Sequence, residues 1–249
     1  MSDLSKKTIL ITGASRGIGA AIAERLSGTN RNIVINYNMN EERAKKVVDR
    51  CIKKGADAIA IKADVSSLDE VNNMFKIIND RFGGVDILVN NAGLSVYGMI
   101  QDITVDDWNR VYGVNVNGTF FCSKQAIPNM VDKKWGRIIN ISSMWGLVGA
   151  SCETLYSSTK GAIIAFTKAL AKEVCYSGIT VNSIAPGVVE TEMIHQLNDE
   201  TLESVKEEIP IGRFLSADEI SIWVEHLVSP SADGLTGQII SPNGGLVII

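Results

Sequence analysis

Tyr156 and Lys160 stand four residues apart in a segment that reads as helix from Thr154 onward. That spacing puts both side chains on one helical face. An ammonium beside a phenol favours the phenolate, so Lys160 is expected to lower the Tyr156 pKa from its usual value of about 10. A tyrosine tuned in this way exchanges a proton with an oxygen near neutral pH. Upstream, the apolar run Ile138–Ile141 ends in Ser142 and Ser143. A hydroxyl at that strand end is placed to donate a hydrogen bond to the same oxygen. Taken alone, a tyrosine and a lysine at helical spacing are equally the pattern of a half-buried aromatic beside a solvated cation. The chemistry therefore depends on what the rest of the chain brings to this pair.

The elements that must position them alternate from end to end. Apolar, β-branched runs at Thr8–Ile11, Asn32–Asn36, Ala58–Ile61, Val85–Val89, Ile138–Ile141, Ile179–Ile184 and Gln238–Ser241 read as strands. Helical spacing fills the intervals: Ala20–Leu26, Glu41–Lys54, Leu68–Phe82, a long helix Trp108–Met130, Thr154–Tyr176 and Ala217–Val228. Ser216 and Glu219 sit at capping-box positions before the last of these. Pro128 fits the end of the long helix better than its interior. Asn115 inside that helix is a candidate for holding a local distortion or an ordered water, because asparagine competes with helical hydrogen bonds. The expected fold is α/β of Rossmann type: a doubly wound, mostly parallel seven-stranded sheet with helices on both faces. No repeat, low-complexity tract or linker interrupts it, so residues 1–249 are expected to form a single domain. The polar stretch Met193–Pro210 reads as a lid over a substrate, about 190–212 in extent.

The first strand runs into Thr12-Gly-Ala-Ser-Arg-Gly-Ile-Gly19. Glycines at 13, 17 and 19 suit a tight strand-to-helix turn where backbone approaches a ligand closely. Free N–H groups at the helix start then face an anion, such as a dinucleotide pyrophosphate. An acid at the end of the second strand would hold the ribose 2′-hydroxyl of NAD. Here that segment is Asn36-Tyr-Asn-Met-Asn40, with no acid before Glu41. Arg16 can pair with a 2′-phosphate instead, which favours NADP; the alternative is a surface Arg16, with Glu41 serving NAD. Asp64 after the third strand is placed for adenine, and Asn90-Asn91-Ala92-Gly93 again offers small residues where backbone nears a cofactor.

The composition excludes several classes of function. With 45% hydrophobic and 21% charged residues the chain is that of an ordinary soluble globular protein. A formal charge of −4 without a basic run gives no footprint for nucleic acid. No stretch nears ~18 apolar residues and the N-terminus lacks an apolar signal region, so a cytoplasmic protein is expected, without a membrane partner. Cys51, Cys122, Cys152 and Cys175 are widely spaced and lack C-x-x-C, which argues against a metal site or a disulfide framework. Cys152 alone, four residues before Tyr156, has a place near a substrate pocket.

Five motifs occur in order: T-G-x-x-x-G-x-G at 12–19, N-N-A-G at 90–93, N-I-S-S at 140–143, Y-S-S-T-K at 156–160 and P-G-x-x-x-T at 186–191. Together they resemble the short-chain dehydrogenase/reductase family over essentially the whole chain. Within the family the chain is most similar to 3-oxoacyl-(acyl-carrier-protein) reductases. The resemblance implies that Tyr156 donates a proton to a ketone oxygen and that Lys160 lowers its pKa and binds the nicotinamide ribose. Ser143 would polarise the carbonyl, and Asn115 would hold the water of a proton relay. Gly13, Ser15, Arg16, Ile18 and Gly19 would cradle the pyrophosphate and the 2′-phosphate of NADPH. Asn38, Asp64 and Val65 would lie by the adenosine, Asn91, Ala92 and Gly93 by the ribose, and Pro186, Gly187, Val189 and Thr191 by the carboxamide. NADH remains the less favoured cofactor.

The resemblance also implies partners. An acyl carrier protein would dock on basic residues at the site entrance, where Lys134 could serve but Ser177 stands in place of a second base. The loop Met144–Glu153 resembles a branch of these reductases that acts on a 5-aminopentanone group carried by elongation factor P, with Glu153 facing its ammonium or simply solvated. A hydroxysteroid or small-alcohol dehydrogenase, or a dinucleotide-binding sensor without turnover, are the other readings. A homotetramer is expected by analogy, through the helices that end at Met130 and Tyr176.

Overall fold

The computed structural model describes residues 6–192 and 199–249. Its centre is a seven-stranded sheet in the order β3-β2-β1-β4-β5-β6-β7. The strands are β1 (Lys7–Ile11), β2 (Arg31–Tyr37), β3 (Asp57–Lys62), β4 (Ile87–Asn90), β5 (Gly136–Ile141), β6 (Ile179–Ile184) and β7 (Ile239–Ile240). All their pairings are parallel. Their residues divide between two cores by the period of two. Ile9, Ile11, Ile33, Ile35, Ile87 and Val89 face one side, and Leu10, Val34, Leu88 and Ile138 the other. Both faces are covered, which is why these strands read as continuous apolar runs. Each such aliphatic side chain, fully buried, contributes about 1.5–3 kcal/mol.

Helices α1 (Gly17–Arg25), α2 (Glu41–Lys53) and, near the C-terminus, α9 (Ala217–Val228) pack on the first face through Ile22, Val47, Val224 and Leu227. The other face is covered by α3 (Leu68–Phe82), α5 (Gly118–Lys133) and α7 (Thr154–Val174), through Met74, Ile78, Met130 and Leu170. Short polar side chains start several helices. Asn40 accepts from Arg43 N, Ser67 from Glu70 N, and Ser216 with Glu219 forms the expected capping box. No described helix is long and apolar enough to cross a membrane.

Three expectations change. The helix expected over 108–130 begins earlier, as α4 (Val105–Tyr112), passes through a π-helical turn at Gly113–Asn117, and continues as α5 to Lys133. Asn115, 1% exposed, sits in that turn, as its poor fit to a helix interior suggested. Pro128 lies inside α5 and does not end it, because Ala126 and Met130 on either side are anchored in the core and packing overrides propensity. The last strand shrinks from four residues to two. Of the expected lid, residues 193–198 lie outside the described residues; beyond them come α8 (Asp199–Glu208) and a buried Ile209.

β1 and β4 are neighbours in the sheet but lead to opposite flanks, so the chain changes direction between them. In open parallel sheets the crevice beyond the strand ends at such a point is where ligands bind.

Candidate active site

Thr12–Gly19 forms the floor of that crevice. Gly13 has φ +61°, and a Cβ there would meet Ala92 Cα at 2.8 Å. A Cβ on Gly19 would lie 2.5 Å from Asn91 Nδ2 and 2.8 Å from Ala14 Cα. The glycines thus let two turns close on each other. Thr12 Oγ1 accepts from Asn91 N and Ala92 N, while Asn91 Nδ2 donates to Thr12 O and Gly13 O. Asn36 Oδ1 accepts from Gly13 N at 3.1 Å, and its Nδ2 donates to Ala63 O. The first turn of α1 contains no acid, and its N-cap, Arg16, makes no side-chain cap bond. Its leading N–H groups are available to an anion, and the glycine floor lets that anion approach. These residues fit a dinucleotide.

Ser143, Tyr156 and Lys160 come together beyond the ends of β5 and β6. Ser142, the first of the serine pair, donates to Lys160 O at 2.8 Å and ties the strand end to α7. Ser143 accepts from Trp145 N at 3.2 Å, at the start of the short helix α6 (Trp145–Val148), and its hydroxyl lies near enough to the Tyr156 phenol to favour the phenolate. Lys160 is buried; its Nζ donates to Ile141 O at 2.8 Å and lies 5.5 Å from the Tyr156 ring centroid. Asn115 Oδ1 accepts from Leu94 N, and its Nδ2 donates to Leu94 O and Thr159 Oγ1, each at 2.8–2.9 Å. That uses the side-chain amide, so a relay water would need the main-chain carbonyl, which already accepts from Thr119 Oγ1.

The expected acidification of Tyr156 is reversed in the protein alone. Burial pushes its pKa up to about 12, against the smaller lowering by Ser143, and the Glu153 charge adds to the rise. Burial also pulls Lys160 down to about 8. An ammonium over a ring face and held by a peptide carbonyl does little for the phenolate, and the low-dielectric site opposes both charges.

The adenosine side shows a second group of side chains. Asn38 Nδ2 donates to Asp64 Oδ2 at 3.1 Å, and Asp64 Oδ1 accepts from Ser66. Val65 is buried beneath, against the position where a Cβ on Gly118 would fall. Arg16 pairs with Glu192, and Arg43 with both oxygens of the same carboxylate. Opposite the glycine turn, Gly187 packs on Asn243, Pro186 O accepts from Met144 N, Val189 bridges to Leu215, and Thr191 approaches Gly17. Ser15 and Ile18 lie half-buried on the turn, and Gly93 lies against Lys160 Nζ and Asn115 Oδ1.

At the open side of Tyr156, Ser95 Oγ donates to Glu153 Oε2 at 3.1 Å, and burial raises the Glu153 pKa. Cys152, at φ +61°, places its Sγ 3.5 Å from Met99 Sδ. Lys134 does not stand at this entrance. It precedes β5, and its carbonyl lies against Gly178 ahead of β6, so Lys134 and Ser177 sit at the opposite edge of the sheet, a strand length (roughly 17 Å) away.

No local pattern in the sequence marks Arg43, Ser95 or Glu192 as belonging to the site. A buried asparagine in an otherwise apolar strand was a usable signal for Asn36. Arg43 and Glu192 look like any solvated charges until the fold brings them together.

The short chain dehydrogenase family matches residues 7–202. The chain is 40% identical to the 3-oxoacyl-(acyl-carrier-protein) reductase FabG of Staphylococcus aureus, over 96% of this chain and 98% of that one. It is 38% identical to the 3-oxoacyl-(acyl-carrier-protein) reductase of Synechocystis over the full length of both. A solved mutant of a Serratia marcescens short-chain dehydrogenase/reductase superposes with a TM-score of 0.91 at 34% identity, covering 98% of each chain.

Proposed function

The chain belongs to the short-chain dehydrogenase family and is an NAD(P)-dependent oxidoreductase acting on alcohol and carbonyl groups, and from that premise we propose that it reduces a 3-oxoacyl thioester to the 3-hydroxy thioester with NADPH. The observation that carries the proposal is the convergence of Ser143, Tyr156 and a buried Lys160 at the end of β5, with Lys160 Nζ held by Ile141 O and lying over the Tyr156 ring. A bound nicotinamide supplies the hydride. Tyr156, protonated at neutral pH because burial raises its pKa, gives its proton to the carbonyl oxygen. Ser143 Oγ donates to the same oxygen as charge develops there. Lys160 steadies the site with its proton at neutral pH, and Asn115 positions Leu94 and Thr159 around it.

The α1 start, Gly13 and Gly19 would receive the pyrophosphate, Asp64 and Val65 the adenine, and Val189 and Thr191 the carboxamide. The absence of an acid between Tyr37 and Asn40, together with Arg16, supports NADPH over NADH. Trp108, Phe120 and the 97%-exposed Tyr176 lie on or just after α4, α5 and α7, and such uncovered aromatics support the homotetramer. Residues 1–249 are taken as one domain, in the cytoplasm.

A second reading rests on Glu153. A half-buried carboxylate beside the proton donor suits a ketone that bears an ammonium, such as the 5-aminopentanone group on elongation factor P. Both readings are tested by the loss of nicotinamide absorbance with an acetoacetyl thioester and with the modified factor. Turnover of the thioester supports the first reading and turnover of the factor alone supports the second. Turnover of neither refutes both.

A further inference from the structure

The Glu192 carboxylate lies between two guanidiniums. Arg16 Nη1 donates to its Oε2 at 2.9 Å, and Arg43 Nη1 donates to Oε1 at 2.9 Å and Oε2 at 2.6 Å. The three residues come from three separate places: Arg16 caps α1, Arg43 lies in the first turn of α2, and Glu192 follows β6 and the loop with Thr191. All three side chains are about half exposed, at 60%, 42% and 53%. Exposed ion pairs add little to stability, so the group is not explained as a brace. Its location suggests another role. It borders the glycine turn and the end of β2, where no acid waits for a ribose hydroxyl, and Met39 at the tip is 92% exposed and leaves the approach open.

Two guanidiniums aimed at one anion form a recognition site for a phosphate, whose oxygens accept from both forks. We infer that Glu192 is an internal counter-anion holding Arg16 and Arg43 in place for the 2′-phosphate of the dinucleotide, which displaces it on binding. This rests on the NADPH reading and adds two specificity-determining residues to it. Arg43 becomes a second phosphate ligand. Glu192 lowers the apparent affinity by competing for that site, since a ligand's observed affinity falls with the fraction of protein in which its site is free. NADH lacks the phosphate and leaves the ion pairs in place, so Glu192 does not compete with it.

The test measures dissociation constants of the purified full chain for NADPH, NADH and adenosine 2′,5′-bisphosphate by calorimetry. Glu192→Gln is expected to tighten NADPH and the bisphosphate by about three- to tenfold and to leave NADH unchanged. Arg43→Ala is expected to weaken the same two ligands by about tenfold, again sparing NADH. Glu42→Gln removes the same charge one residue from Arg43, but Glu42 is outside the cluster, so this variant should change none of the three. Equal tightening by Glu42→Gln, tightening of NADH alongside NADPH, or no response to Glu192→Gln would each overturn the inference. A wild-type protein that binds NADH more tightly than NADPH would instead sink the cofactor reading beneath it.

Discussion

Lys160 Nζ sits 5.5 Å from the centre of the Tyr156 ring while donating to the carbonyl of Ile141 at 2.8 Å. The lysine is thus held over the ring face, away from solvent, by the last residue of β5. Burial lowers its pKa from the ordinary 10.5 to about 8 and raises that of Tyr156 from 10 to about 12. Each shift moves its group toward the uncharged form, yet at neutral pH the pair enters the reaction as a protonated phenol beside a lysine that still carries its proton.

A pH profile follows from that arrangement. Lys160 carries its proton below about 8 and loses it above. If the ammonium supports proton delivery by Tyr156, kcat/KM for the dinucleotide in the reductive direction should be level below that pH and fall about tenfold per unit above it. This ratio reports groups of the free enzyme. A profile level to pH 10 would show that the lysine charge plays no part. For stability the sign is opposite to that of an ion pair. The depressed lysine pKa makes folding less favourable as pH falls from about 10.5 to about 8, and below that the penalty is constant.

Replacing Tyr156 by Phe removes the donor and little else. The ring beneath Lys160 stays, and only the hydroxyl is lost. Reduction should drop by about 10²–10⁴-fold, the usual contribution of a positioned acid. Dinucleotide binding, followed by fluorescence, should stay at the wild-type value. A variant that still reduces the ketone at near wild-type rate would move the donor role elsewhere.

Gly19→Ala tests the closeness of the two turns. The added methyl would lie 2.5 Å from Asn91 Nδ2 and 2.8 Å from Ala14 Cα, and the backbone atom cannot move aside as a side chain can. Overpacking of this kind costs about 1–3 kcal/mol, read from the midpoint shift in urea unfolding at constant slope. The same methyl disturbs the first turn of α1, so dinucleotide affinity should fall with stability. Unchanged affinity would separate this turn from the cofactor.

Most of the architecture was legible because strands buried on both faces must be apolar throughout, and Ile9, Leu10 and Ile11 announce this directly. The glycine turn was legible for a similar reason: only glycine avoids the contact between Gly13 and Ala92. The long-range electrostatics were not. The distance between Arg16 and Glu192 in sequence hides their pairing, and no local pattern marks Arg43 as its third member. Tyr156 shows the other limit. Spacing along a helix reveals which side chains share a face, but the sign of a pKa shift depends on burial and on where the charge is held, here by Ile141 O. Lys134 was misplaced for a related reason, since its place on the sheet depends on which end of β5 it precedes.

Glu153→Gln distinguishes the two substrate readings. The carboxylate is half-buried, takes a hydrogen bond from Ser95, and raises the Tyr156 pKa through its charge. An ammonium-bearing ketone would gain from that charge, whereas a neutral acyl thioester would gain nothing from it. Glutamine keeps the shape and accepts the Ser95 bond, so folding is preserved. With the aminoketone the variant should lose about tenfold in kcat/KM, through KM, because a hydrogen-bonded charge pair in a partly desolvated site is a binding interaction. With the thioester KM should match the wild type. Burial raises the Glu153 pKa, so the wild-type preference for the aminoketone should fade as pH drops and the carboxyl gains its proton. Equal losses on both substrates would make Glu153 a structural support for Ser95 and leave the 3-oxoacyl thioester as the substrate reading.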